Sequence, residues 1–304
     1  MSNSKNKFII PPGGCLASPK DPRDALLSAV VPMPIRIPKE LPPPFDLDIL
    51  NQGMNPFCVG YSGAAIKQEK ELRERVNEIF DGAWLYKKCK EIDGFPNMPG
   101  TFFRMVLKIL QKTGAKTLTG SEDEASKYKI GSYALVDDNT FEGLKRAIFV
   151  NGAILAGFTG TNEGWKTAYI RVPKSGERTW GHATILIGYN ESYLIGQNSW
   201  SENWGNKGLF YVPKEYLPYL IESWAILTDL PSDMNEGWVA LEYLRSIGIV
   251  EGAKVSPITL LNFRDNPGLG GNIISRLKPS DKLEIVKIGE RIDGYNWARV
   301  KITE

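Results

Sequence analysis

The sequence predicts an α+β fold, on three observations. Apolar residues recur at helical spacing between positions 58 and 150. From 152 to 213 they form short runs punctuated by Gly, Asn and Pro, as strands do. Beyond a composition shift at "LPSDMNEGW" (230–238), the tail alternates apolar and polar residues between turn clusters. Helices first and strands later make an α+β arrangement.

Taken in order, residues 1–44 carry Pro11, Pro12, Pro19, Pro22, Pro32, Pro34, Pro38 and the run Pro42–Pro44. Proline removes a donor and disfavours helix, so this segment reads as an extended arm laid on the surface. A helix is expected from 58 to about 80, because Ala64, Ala65, Leu72, Val76, Ile79 and Phe80 recur among Lys, Glu and Arg. Asn55 is a favoured N-cap and Pro56 a favoured first helical residue. Further helices are expected over Ala83–Glu91, over about Thr101–Lys112 with a stop near Gly114, and over 141–150. Strands follow at 152–158, 182–190, 192–199 and 208–213. After the boundary, "GWVALEYLRSIGIV" has a short helical pattern, and "LEIVKIG" and "NWARVKI" alternate as half-buried strands. The division expected is an arm (1–44), a large domain (45–230), and a linker with a small all-β module (231–304).

The 304 residues suit one large domain, or one domain and a small module. A net charge of +2 gives no case for a nucleic-acid partner. No run approaches 18 apolar residues, so no membrane insertion is expected. The N-terminal "FII" is too short for a signal-peptide core. Three cysteines make no disulfide framework, which points to a cytoplasmic protein or to release without a cleaved signal.

Cys58 stands in the expected first helical turn, among unpaired N–H groups and the positive end of the macrodipole, an environment that lowers a thiol pKa. The plain alternative is a small buried hydrophobe. His182, the single histidine, follows Gly181 at the head of an apolar strand; it is either packed there or the one imidazole able to act as a base. Asn198 follows at the distance of two antiparallel strands joined by a tight turn near 190–192, so the two side chains can meet at one end of a hairpin. There Asn198 would orient the imidazole, and Trp200 would shield the bond from water. Gln52, otherwise a solvated loop residue, could join the Cys58 N–H in stabilising an oxyanion. Cys89, in "YKKCKEI", reads as structural; Cys15 reads as exposed on the arm, without a basic partner.

Together these pieces resemble the papain-like cysteine peptidases in order: Gln-Gly…Cys, then Gly-His-Ala, then Asn-Ser-Trp…Trp-Gly…Gly, over roughly residues 45–228. The spacing from Cys58 to His182 and Asn198 lies near the family's roughly 130–150 residues. The resemblance implies a two-lobed fold, a helical lobe beside a β-barrel lobe, and a thiol peptidase acting on peptide or protein substrates with no metal or other cofactor. Cys58, His182, Asn198 and Gln52 would be catalytic. Departures are local. "NPFCV" replaces the usual Cys-Gly-Ser-Cys-Trp, so Phe57 alters the groove floor. Pro99-Gly100 stands where a glycine pair usually lines the substrate backbone. No helical inhibitory propeptide is read in the arm, which would pack against the domain or cover the groove. The tail, through "LNFRDNPG" and "DGYNWARVKI", resembles bacterial Src-homology-3-like barrels, which implies either cell-wall peptide binding or plain docking. Two rival functions follow: a cell-wall peptide hydrolase of bacterial or phage type, and a non-catalytic peptide-binding scaffold.

Overall fold

The computed structural model describes residues 9–31, 33–43, 47–74, 76–227, 236–245, 249–264, 266–271 and 273–303. The boundary expected at 230–238 falls mostly on residues outside these. The arm contributes a two-residue strand β1 (Cys15–Leu16) and a short helix α1 (Leu27–Val30). Three helices follow: α2 (Cys58–Arg73), α3 (Gly82–Ile92) and, after strand β2 (Thr101–Phe102), α4 (Phe103–Lys112). Strand β3 (Ser132–Leu135) and helix α5 (Phe141–Asn151) lead into β4 (Ile154–Thr161), β5 (Thr179–Tyr189), β6 (Tyr193–Gln197), β7 (Leu209–Pro213) and β8 (Leu220–Leu227). These strands form one antiparallel sheet in the order β3-β8-β4-β5-β6-β7.

Helix α2 is the hub, packed against α3 and α4 on one side and the sheet on the other. Its Val59, Ala64, Ala65 and Ile66 enter the core with Leu85, Cys89, Val106, Leu107 and Leu110, and with Leu155, Ala183 and Ile185 of the sheet. Its charged residues Lys67, Glu69, Lys70 and Glu71 are buried too, and each finds a partner. Lys67 pairs with Glu71 and Arg73 with Glu69, while Lys70 donates to the Asn151 carbonyl. Pairing of this kind is what makes buried charge tolerable. The helix expected to reach 80 stops at Arg73. Beyond it the chain turns away so that Phe80 bridges Thr117. The opposite face of the sheet buries a second core of Leu144, Ile148, Phe158, Trp165, Trp204 and Phe210, which the arm completes with Leu27 and Val31.

The C-terminal strands are β9 (Glu236–Ala240), β10 (Leu244–Arg245), β11 (Lys254–Pro257), β12 (Leu261–Arg264), β13 (Ile273–Leu277), β14 (Lys282–Ile292) and β15 (Tyr295–Thr303). They form a curled antiparallel sheet in the order β10-β11-β14-β15-β9-β12-β13, with a core of its own. The helix expected in "GWVALEYLRSIGIV" is overturned: Gly237–Ala240 pairs with Trp297–Val300 of β15 instead. A short apolar run satisfies either period, and here the neighbouring strand decides. Asp293 and Gly294 both adopt positive φ and turn β14 into β15. The sheet docks on the end of α5, where Arg276 donates to Asn151 Oδ1 at 2.7 Å and Arg264 lies over the Phe149 ring. Among the described residues no helix is long and apolar enough to cross a membrane, and no group of His, Cys, Asp and Glu could hold a metal ion.

Candidate functional site

Cys58 opens α2, so its sulfur sits in the first turn as expected. Asn55 is not the cap. Phe57 precedes the helix, and Asn55 instead exchanges hydrogen bonds with Gln52: Asn55 Nδ2 donates to the Gln52 carbonyl at 3.3 Å, and Gln52 Nε2 to the Asn55 carbonyl at 2.7 Å. Gln52 is fixed at its other end as well. Its N–H donates to the Ser199 carbonyl, and its Oε1 accepts from Ser199 Oγ at 2.8 Å. One Nε2–H is thereby committed and the second remains for another acceptor. The loop before the helix and the loop after β6 are thus tied together through one buried amide.

His182 lies on β5 and Asn198 just beyond β6. The two strands pair with Ile185 opposite Gln197 and Tyr189 opposite Leu194, closed by a turn at 190–192. The hairpin brings the side chains together: His182 Nε2 and Asn198 Oδ1 are 2.7 Å apart. Asn198 Oδ1 also accepts the Ser199 N–H at 2.8 Å, which fixes the amide with its oxygen toward the ring. The ring nitrogen facing it must therefore carry the proton, and Nδ1 is left with a lone pair. Nδ1 is buried and has no hydrogen-bond partner among the described residues. The Ala183 N–H, next along β5, acts on the Cys58 thiol and lowers its pKa.

Trp200 shields this pair as expected, its ring 4.6 Å from the imidazole. Sequence reasoning missed Trp165 and Trp180, whose rings stand nearly perpendicular to His182 at 5.5 and 6.0 Å. Trp180, two residues before His182 on β5, shares its face of the strand, and that spacing was the available signal; nothing around Trp165 points to the histidine. Phe57 stacks on Tyr86 at 4.2 Å, and Gly100 takes φ +85°, which only glycine adopts readily.

The arm, expected either on the domain surface or over the groove, runs across the groove. Gly14 bridges its two walls: its N–H donates to the Gly181 carbonyl at 2.9 Å, and its carbonyl accepts from the Thr101 N–H at 2.9 Å. From there β1 runs parallel to β2, with Cys15 opposite Thr101. The Gly14 N–H also acts on the Cys58 thiol, lowering its pKa. A Cβ on Gly14 would fall inside contact with the Pro56 carbonyl, and one on Gly181 inside contact with the Cys15 carbonyl. Two glycines thus allow the backbone through. Cys15 is not exposed but 4% accessible, its sulfur set against Gly157 and its thiol pKa pushed up by burial. Three residues on, Ser18 Oγ donates to Glu222 Oε1 at 2.8 Å, and burial raises the Glu222 pKa.

Covering the site changes its charges. Cys58 has no accessible surface and His182 is 1% accessible. Burial pushes the thiol up to about 11 against the pull of the N–H groups of Ala183, Gly14, Val59 and Cys58 itself. It also lowers His182 to about 4, with the Asn198 bond opposing. The covered site therefore holds a neutral thiol and a neutral imidazole. A free imidazole titrates near about 6.5, so between that pH and about 4 the unfolded chain binds a proton that the folded one does not. The stability contribution is complete above about 6.5 and is lost as pH falls toward 4. We expect it to amount to about 3 kcal/mol. Urea unfolding of the protein and of His182→Gln at pH 7 and pH 4 checks this: the variant should lose less stability on acidification. Equal losses would remove His182 from the account.

Residues 103–226 match the family model of the papain family cysteine proteases. The chain is 33% identical over 110 residues to a peptidase C1-like protein of Acanthamoeba polyphaga mimivirus, covering 31% of this chain and 35% of that protein. It is 28% identical over 106 residues to cathepsin B-like cysteine proteinase 3 of Ostertagia ostertagi, covering 33% and 59%. It thus spans less than two thirds of the length of these curated relatives. Among solved structures, xylellain, a cysteine protease from Xylella fastidiosa, superposes with a TM-score of 0.65 at 21% identity, over 72% of this chain and 97% of that one. Procathepsin B of Trypanosoma congolense does so with 0.54 at 15% identity, over 71% and 86%. The fold is papain-like.

Proposed function

We propose that this chain is a cysteine peptidase held in a latent form by its own arm. The observation that carries the proposal is the buried His182–Asn198 hydrogen bond, with Nδ1 of the same ring unpartnered among the described residues and the N–H of the next residue, Ala183, acting on the Cys58 thiol. With the arm displaced, water reaches the site and the desolvation that keeps both groups neutral is relieved. The Cys58 proton passes to His182 Nδ1, giving a thiolate beside an imidazolium. The thiolate attacks the scissile carbonyl, and the oxyanion takes the Cys58 N–H and the remaining Gln52 Nε2–H. His182 returns its proton to the leaving amine, forming the acyl-enzyme, and then draws a proton from the water that hydrolyses it. Asn198 holds the ring in the required tautomer without adding a charge. Gly181, Gly100, Phe57 and Trp200 would flank the bound peptide or the ring.

Direct support would be an acyl adduct on Cys58, found by mass spectrometry after brief exposure of an arm-displaced variant to an activated ester; acylation of Cys15 or Cys89 instead would defeat the assignment. In the same background Asn198→Ala should lower kcat by roughly 10–100-fold, as expected when a base loses its orientation. An unchanged kcat would remove Asn198 from the mechanism.

A non-catalytic peptide-binding scaffold has no use for an oriented imidazole beside a thiol, so the peptidase reading stands ahead of it. We read the C-terminal sheet (within 231–304) as a Src-homology-3-like barrel beside a peptidase domain over 45–230. No observation favours cell-wall peptides over other peptides as its ligand.

A further inference from the structure

Just beyond the segment that plugs the groove, the arm is held by two buried charges of opposite sign. Arg104 of α4 is 6% accessible. Its Nε and Nη2 donate to the two carboxylate oxygens of Asp24 at 3.1 and 2.5 Å, and its Nη1 donates to the Pro19 carbonyl at 2.6 Å. Glu222 of β8 accepts from Ser18, through Oγ at 2.8 Å and N–H at 3.4 Å. Every one of these partners belongs to the arm. When the arm lifts, the guanidinium and the carboxylate each lose these hydrogen bonds. A buried charge without a partner is strongly unfavourable, and a bidentate Arg–carboxylate pair is among the stronger contacts available.

The two charges are neighbours. The Arg104 guanidinium lies over the Trp224 ring at 5.6 Å, and Trp224 sits two positions from Glu222 on the same face of β8. The positive charge of Arg104 already acts on Glu222, partly offsetting the effect of its burial. We propose that Asp24, Arg104 and Glu222 form a carboxylate-exchange latch: Arg104 pairs with Asp24 while the arm covers Cys58, and transfers to Glu222 when the arm leaves. No bond is made or broken covalently. One ion pair replaces another, and the balance between them depends on which carboxylate holds Arg104. The inference deepens the latent-peptidase reading and rests on it.

The test measures iodoacetamide labelling of Cys58, resolved from Cys15 and Cys89 by peptide mapping, in the full chain. Asp24→Asn weakens the closed pair and should raise the labelling rate about tenfold. Glu222→Gln leaves an oxygen for Ser18, so the closed contacts survive, but it removes the open-state partner; labelling should fall about tenfold. Opposite signs support the latch. A rise in both variants would mean that the two carboxylates merely hold the arm down, and no change in either would mean that they do nothing. Both results overturn the proposal. Unchanged melting of each variant excludes loss of fold as the cause. The readout is thiol access and not turnover, so a protein that labels as expected yet hydrolyses no peptide would sink the peptidase reading and leave the latch standing.

Discussion

Replacing Gly14 by valine is expected to raise the rate of Cys58 alkylation at pH 7 about a hundredfold. Gly14 passes so close to Pro56 that any Cβ would collide with backbone, which cannot move aside as a flexible side chain can. The valine must therefore lift the arm. Lifting it forfeits two backbone hydrogen bonds, Gly14 to Gly181 and Thr101 to Gly14, and the burial of the Cys15 side chain. At about 1 kcal/mol for each contribution, the closed state loses about 3 kcal/mol, or roughly two powers of ten in the open population. The pH dependence should change as well. In the closed protein the thiol ionises only toward about 11; in the opened one, labelling should persist into the acid range where a thiolate–imidazolium pair survives. A valine variant that labels no faster than the parent would mean that the arm does not control access to the sulfur.

In that opened background, Cys58→Ala should abolish peptide hydrolysis, with a fall of at least ~10⁴ in kcat. The estimate follows from the chemistry. Without the sulfur no acyl-enzyme can form, and the oxyanion donors alone are left to assist attack by water. Cys58 is fully buried, and alanine leaves a small gap that should cost stability without unmaking α2, whose remaining contacts are extensive. Circular dichroism and the urea midpoint would verify the fold. Hydrolysis retained in the alanine variant would refute the mechanism outright, since Cys89 lies buried in the core and Cys15 leaves with the arm.

Much of the fold was legible because its signals are local. Helices α3, α4 and α5 begin and end within a residue or two of the positions that periodicity and Gly114 indicate. The β5–β6 hairpin was legible from the turn at 190–192, and with it the meeting of His182 and Asn198. Gln52 could be suspected, but its tie to Ser199 joins distant parts of the chain and has no local signature. The segment 237–250 misled because apolar residues at helical spacing also fit a strand once β15 lies alongside. Asn55 misled because a good cap residue is also a good turn residue, and the turn with Gln52 claimed it. The arm was the largest gap. It contacts the site through the backbone of Gly14, and backbone pairing leaves no trace in side-chain chemistry beyond the two glycines that permit it. Arg104, Asp24 and Glu222 are individually ordinary charged residues, and only the folded chain brings them together.

The plug at Gly14 and the helix at Cys58 belong to one continuous chain, and Leu27 and Val31 anchor the stretch between them in the second core. The inhibitor is thus tethered to its target, present at an effective concentration on the millimolar scale set by the length of the tether. Dilution cannot wash it away. Activation is then a first-order event, and the lag before hydrolysis should have the same duration at nanomolar and micromolar protein. A free peptide copied from the arm should be a poor inhibitor of the opened enzyme, since its grip in the intact chain owes more to connection than to contact.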